Sequence, residues 1–594
     1  DMSLQEALTF ANSSSVARYS RENRLERRPG GKAYGGAGTN IYRCKDGRYV
    51  HFTTNMPHMW KEFAQNWMTD KSLAGPEWEN PRYRDEHSEE VAKAFAGFIG
   101  AFAADDFANQ AQARHLAAAP LNTIGQFVDC EQNRARAWLQ EIDHPVIGKY
   151  KAPGAPMRLS LTPMQVRRPA PLLDQHRKEL LAELHHRSAS PLKTDEPMDA
   201  QRPMLAGLRM ADLTQQYAGP LGTELLAYYG MEVIKIETAT IPSKEREAAV
   251  HACMNRAKLG CTLNLRNPQG KELFRQLVAK SNVVVDNFSS GVLERLGFGF
   301  DVLQKINPAI VQAVMPGWGL TGPLKSWVAW GWQLLAYTGI MRLWGYPDSP
   351  METRCKIAWP DRVGSVTMAL GVLAALEYQQ RSGKGQFIEA GMLEAQGSMM
   401  GPAILDYTVN GNEWDAMGYR EILGAAYGPY GCYPCAGEDN WVIIACAGDD
   451  EWQKLINLIG KKSWAGDPKF AGRAGRKAHR DELDQQLSQW THKYTAKQVF
   501  RLLQENGVAA GIPSSGEDLF HDIHLRARGH IVETDAQPWG KISHHGLPGI
   551  PSLSTANAAR PAPWIGFNND EVFGGVLGLS KAKIEELKKA EAIR

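Results

Sequence analysis

The stretch Lys356–Ala395 reads K-I-A-W-P-D-R-V-G-S-V-T-M-A-L-G-V-L-A-A-L-E-Y-Q-Q-R-S-G-K-G-Q-F-I-E-A-G-M-L-E-A. Pro360-Asp361 ends an extended segment. Gly364 opens a helix in which Val366, Met368, Ala369, Leu370, Val372, Leu373, Ala374, Ala375 and Leu376 leave no polar face. A helix apolar all round is expected to be buried all round. Arg381-Ser-Gly-Lys-Gly385 stops it and launches a short strand at Gln386–Glu389. Upstream, Leu208–Leu213 alternates as a strand, Leu221–Tyr229 is helical and Met231–Glu237 is a second strand. Strand, turn, helix and strand within about 30 residues form a βαβ unit of an open parallel sheet. The turn Thr214–Pro220 lacks G-x-G-x-x-G, so no dinucleotide site is expected there. Cys261–Leu265 and the apolar run Val283–Phe288 add strands, and Asn267-Pro268 caps and opens the helix between them.

The chain of 594 residues is too long for one core, so several domains are expected. Its formal net charge of +2 gives no reason to expect nucleic acid as a partner. Eight scattered cysteines fit a reducing cytoplasm better than a disulfide framework. No apolar run of about 18 residues is present, so no membrane span is expected.

The chain also resembles itself. Asp1–Ala7 matches Glu389–Ala395, Tyr42-Arg-Cys44 matches Tyr433-Pro-Cys435, and Pro169-Ala-Pro171 matches Pro561-Ala-Pro563, all at nearly one offset. Between the two copies, 188–204 is a polar, proline-rich linker. The reading divides the chain into 1–187, the linker, 205–400 as a large Rossmann-like part, 401–540 as a smaller α+β domain, and 541–594 returning to the large part.

The ordered features of the opening stretch (Asp361, Gly364, the A-L helix end and the R-x-G-x-G-Q turn) resemble the signature of the class III CoA-transferases, the formyl-CoA and carnitine CoA-transferase family. The T-x-x-x-A-G-P…V-I-K-I-E segment from Thr214 is similar to the start of that family's large domain. An Asp at the mouth of a helix is most often a cap; the resemblance instead makes Asp361 the nucleophile. It further implies an α/β fold, in which a Rossmann-like open sheet and a smaller α+β domain belong to two units interlocked as a dimer or, here, an intramolecular pseudo-dimer. On this reading residues 1–187 are the back half of a first unit, whose front half has no counterpart ahead of Asp1. The expected partners are an acyl-CoA and a small carboxylic acid, with no tightly bound cofactor. Asn287 and Arg295 are implied as CoA contacts, and Arg256, Lys258, Lys325 and Tyr217 are further candidates, since CoA phosphates favour guanidinium, ammonium and amide donors at a strand's carboxyl edge.

Six tryptophans lie between Trp318 and Trp359. They either pack beneath an acyl pocket or, with Trp318, Trp330 and Trp332 foremost, form a cage for an onium group. The second reading points to the family's tandem branch that acts on dimethylsulfoniopropionate and releases a sulfide. The racemase branch carries G-H-D where this chain has Gly331-Trp332-Gln333, so racemisation of a 2-methylacyl-CoA is the weaker alternative. A non-catalytic CoA-binding scaffold is the other. Glycine loops containing Gly35 and Gly36 in the first copy, and Gly424 and Gly428 in the second, are expected to close over the site. Cys432 and Cys435 read as buried thiols, and no metal site is predicted.

Overall fold

The computed structural model describes residues 1–12, 14–23, 25, 36–186, 201–238, 249–354, 357, 359–418, 428–536 and 540–594. At its centre is a seven-stranded sheet built from β1 (Arg158–Leu159), β2 (Arg209–Asp212), β3 (Glu232–Glu237), β4 (Leu259–Thr262), β5 (Val283–Asp286), β6 (Val311–Val314) and β7 (Phe387–Glu389), in the order β1-β7-β6-β5-β2-β3-β4. Strands β2 to β7 are mutually parallel, with Val283 of β5 opposite Met210 on one side and Val311 on the other. Both faces are covered, as an all-apolar strand demands. Along β5, Val283 and Val285 pack into one core with Met368 and Val372, while Val284 packs into the other with Phe274 and Leu303.

The ends of the chain close the two edges of this sheet. The N-terminal half supplies β1, antiparallel to β7 with Leu159 opposite Ile388. At the far edge the C-terminal segment takes over the β4 amides: Gly260 and Thr262 donate to the side chains of Asn568 and Asn569, and Asn264 donates to the Ala592 carbonyl. Edge groups paired in this way cannot recruit another strand.

Helices α1 (Ala218–Tyr228), α2 (Gly331–Tyr337) and α4 (Met392–Ser398) each pack against α3 (Trp359–Ser382), which lies on β6. Helix α3 begins five residues earlier than the sequence reading places it, because Pro360 occupies its first turn, where a proline costs nothing. It is not buried all round: Val366 is 50% exposed and Leu370 58%, with Leu373 beside them on the same face.

Two small antiparallel sheets flank the centre. One is formed by Thr39–Arg43, Tyr49–Thr53 and Ala117–Pro120, the other by Tyr430–Pro434, Trp441–Ala445 and Ala509–Gly511. Two hairpins follow, Gln140–Ala152 and Ile531–His545. Their packing is reciprocal. Helix Gly401–Asn410 lies on strand Gly148–Ala152 and helix Ile124–Val128, while helix Ser15–Glu22 lies on strand Lys541–His545 and helix Gly516–Phe520. Each half of the chain therefore grips the other, as in an interlocked pseudo-dimer.

Candidate active site

Asp361 stands in the first turn of α3, against the entrance of α1. The two helices approach closely because α1 carries Gly222 where a Cβ would meet the Ser365 carbonyl at 2.7 Å. The Ser365 hydroxyl donates to both the Asp361 and Ala218 carbonyls, locking the turn. No described residue hydrogen-bonds the Asp361 carboxylate. Burial pushes its carboxyl up to about 6, and the neighbouring Arg362 charge only partly opposes that shift. Arg362 is fixed by the Tyr217 hydroxyl at 3.1 Å, by the face of the Tyr217 ring, and by the Ala11 carbonyl at the end of the first helix of the chain. The acid thus sits where the front of the large sheet meets the N-terminal segment.

The structure separates the candidate CoA contacts. Arg295 and Lys325 are exposed near the carboxyl ends of β5 and β6, where a phosphate has access to them. Arg256 and Lys258 do not line a CoA groove, and this corrects the sequence reading. Arg256 is fully buried, pairing with Glu224, donating to the His545 and Ala558 carbonyls and lying over the Tyr228 ring. It ties the C-terminal return to α1. The Lys258 ammonium donates to Asp212, Thr223, Asn255 and the Pro220 carbonyl, and burial pushes its pKa down to about 8. Asn287 accepts from the Gln215 amide and donates to the Gln215 carbonyl, each at 2.8 Å, so it shapes the turn before α1. In that turn Gln216 takes a φ of 64°. Tyr217 caps α1 beside Arg362.

The tryptophans divide in the same manner. Trp318 is 2% exposed and packs edge-on against Trp327 and Tyr337, so it is core and not a cage wall. Trp330 packs onto the core of the first small domain, the part built around strands Thr39–Arg43, Tyr49–Thr53 and Ala117–Pro120, together with Trp327 and Val328. Trp332 stacks on His51 of that domain. Gln333, at the place of the racemase histidine, is buried and donates to the Ala117 carbonyl, with His51 at 3.1 Å. Gly35 and Gly424 lie outside the described residues. Gly36 has a φ of 82°, and the next amide, of Ala37, donates to Asp85. Gly428 is held within the second small domain by Arg476 and Cys446.

The sequence reading missed the residues that shape the loop Gly317–Pro323 after β6. Gln132 and Arg136 reach it from the N-terminal half. Nothing in E-Q-N-R-A-R marks them, since their partners lie far along the chain. Among the described residues no cluster of three or more His, Cys, Asp or Glu could hold a metal. No described helix is long and apolar enough to cross a membrane.

A family model described as CoA-transferase family III matches residues 1–177 and 205–569. The chain belongs to that family. Succinyl-CoA–D-citramalate CoA-transferase of Chloroflexus aurantiacus is 32% identical over 409 residues, covering 67% of this chain and all of that protein. Formyl-CoA:oxalate CoA-transferase of Bradyrhizobium diazoefficiens is 29% identical over 416 residues, covering 66% of this chain and 97% of its own length. A crystal structure of a CaiB/BaiF family protein from Brucella suis superposes with a TM-score of 0.58 at 26% identity, over 63% of this chain and 100% of that one. CoA-transferases use CoA thioesters as substrates.

Proposed function

We propose that this protein moves CoA from an acyl-CoA donor to a small carboxylic acid, with Asp361 as the covalent carrier. The observation that carries this reading is the half-buried Asp361 carboxylate, free of described hydrogen-bond partners, on the helix that bears the family's signature. A carboxylate needs no general base once ionised. It attacks the donor thioester, forming a mixed anhydride and releasing CoA thiolate. The thiolate attacks the Asp361 carbonyl, giving an aspartyl-CoA thioester and freeing the donor acid. The acceptor carboxylate then attacks that thioester, and the thiolate returns to the acceptor side of the new anhydride. The new acyl-CoA departs and Asp361 is a carboxylate again.

Arg295 and Lys325 are the proposed phosphate contacts. The activities for which the relatives are named favour small di- and hydroxy-carboxylic acids as acceptors, with succinyl-CoA or formyl-CoA as donor. An onium acid, with sulfide release after thioester formation, is a narrower reading. It now leans on the half-buried indoles of Trp330 and Trp332 alone. The element order of 1–187, repeated by 389–569, supports a tandem of two family units. No disulfide joins the seven described cysteines, which supports a reducing, cytoplasmic setting.

Incubation with succinyl-CoA and a panel of small acids, with mass spectrometry of the CoA esters, tests the transfer. A new ester formed in step with succinate release supports it, and unchanged reactants across the panel leave the CoA-binding scaffold as the better reading. Dimethylsulfoniopropionate belongs in that panel, with volatile sulfide as its readout.

A further inference from the structure

Arg362 follows Asp361 at the start of α3, and its guanidinium is held by two other parts of the molecule. It donates to the Tyr217 hydroxyl at 3.1 Å, and its carbon lies 5.0 Å from the centre of the Tyr217 ring, at the entrance of α1. It also donates to the Ala11 carbonyl, at the end of the helix Leu4–Ala11. The last carbonyls of a helix lack donors within it, so a guanidinium placed there caps that helix. For α3 itself the placement is unfavourable, because a helix N-terminus repels a cation. The helix Leu4–Ala11 is in turn well anchored. Phe10 packs into one cluster with Leu221 and Tyr228 of α1, with Ala558 and with Tyr217, and Glu6 forms a two-pronged pair with Arg528.

Among the described residues, the other ionisable groups on the elements packed against α3 are already matched. Glu224 of α1 pairs with Arg256, while Glu389 of β7 and Glu394 of α4 pair with Arg136. The Tyr228 and Tyr337 phenols of α1 and α2 are buried and neutral, and β6 brings no titratable side chain. On α3 itself, Glu377 and Arg381 pair with each other near the far end. Arg362 is the charge that acts on the Asp361 carboxyl, against the burial that favours the protonated acid.

We infer that Arg362 is a positioning residue for transfer, through which the N-terminal half fixes a positive charge beside Asp361 and keeps that carboxylate in its nucleophilic, ionised form. The inference rests on the reading of Asp361 as carrier. Only the carboxylate attacks a thioester, and no described donor hydrogen-bonds it, so the adjacent guanidinium is left to hold the proton off. The Ala11 carbonyl and the Tyr217 hydroxyl hold that guanidinium in place. The nucleophile of the α/β part therefore depends on the docking of the N-terminal helix, which a pin serving stability alone does not require.

The test reads the acid limb of kcat/KM for succinyl-CoA, which reports ionisation in the free enzyme. Arg362→Met keeps the stem and removes the charge. It is expected to move the limb up by about 1 pH unit, lowering kcat/KM about 10-fold at about pH 5 and less than about 3-fold at about pH 9. Arg362→Lys keeps the charge without the planar fork, and is expected to return the limb to within about 0.3 unit of wild type. A loss of equal size at every pH, with the limb unmoved and no rescue by lysine, overturns the inference. If Arg362→Met does not fold, Tyr217→Phe removes one anchor of the guanidinium and is expected to raise the limb by about 0.5 unit; an unmoved limb there also overturns it. Wild-type enzyme given succinyl-CoA and hydroxylamine is the control. Failure to trap Asp361 overturns the carrier reading and this inference with it, whereas trapping with an unmoved limb overturns this inference alone.

Discussion

The two small domains are built alike and used differently. In the first, Arg84 lies 4.4 Å over the Trp60 ring; in the second, Arg476 lies 5.2 Å over the Trp452 ring, 392 positions further on. The helix at Ile124 opens with a capping box on Thr123 and Gln126, and the helix at Gly516 with one on Ser515 and Asp518, at the same spacing. Gln112 donates to the Ala118 carbonyl, and Gln504 to the Ala510 carbonyl. There the likeness ends. Gln112 also exchanges two hydrogen bonds with Val328, and the strand Ala117–Pro120 is wholly buried beneath α2. Gln504 is exposed, and Ala509–Gly511 stays near the surface. Local sequence specifies the domain, and its partner specifies its role. The first small domain carries Trp327, Val328 and Trp330 of the α/β part on its core.

Each prediction presses on that contrast. The largest effect falls on the proposed carrier: Asp361→Ala is expected to lower transfer by at least about 10³-fold, measured as new CoA ester per minute, with the fold retained by circular dichroism. Next, Gln112→Ala is expected to destabilise by about 2–3 kcal/mol, because it strands the Val328 amide and two buried carbonyls. Gln504→Ala is expected to change stability by less than about 0.5 kcal/mol in the same urea titration, and equal losses at both sites would erase the distinction. An effect of the size of the Gln112→Ala loss, with the opposite sign, is expected at Asp361→Asn. The folded carboxyl titrates near 6, above its unfolded value, so the folded state holds its proton longer. The resulting penalty is absent below about pH 4, grows as pH rises to about 6 and then stays, reaching about 3 kcal/mol. Asp361→Asn should therefore be more stable than wild type at pH 8 and equal to it at pH 4. The same titration sets the acid limb of activity, expected as a fall in kcat/KM below about pH 6.

Much of the sheet was legible in the sequence because its strands are short apolar runs separated by turn residues, and β2, β3, β5 and β7 lie within one or two residues of their expected ends. Asp361 was legible through its surroundings, since Pro360, Gly364 and the R-S-G-K-G-Q turn keep a fixed order. The start of α3 was not, because Trp359-Pro360 reads as extended when nothing shows that the proline sits in a first turn. Arg256 and Lys258 read as CoA-phosphate contacts because a sequence does not show which charges are already paired. Their neutralising partners, Glu224 and Asp212, lie on another helix and strand, and a charge is buried only where such a partner waits. Gln132 and Arg136 were beyond reach, as their meaning exists only once the two halves are interlocked.

The most direct test is the intact mass of the protein after exposure to succinyl-CoA, for wild type and Asp361→Ala side by side. The account predicts a CoA adduct on wild type that hydroxylamine converts to a hydroxamate mapped to Asp361, and no adduct on the variant. Transfer proceeding in Asp361→Ala, or a wild-type adduct mapped to any other residue, would contradict it.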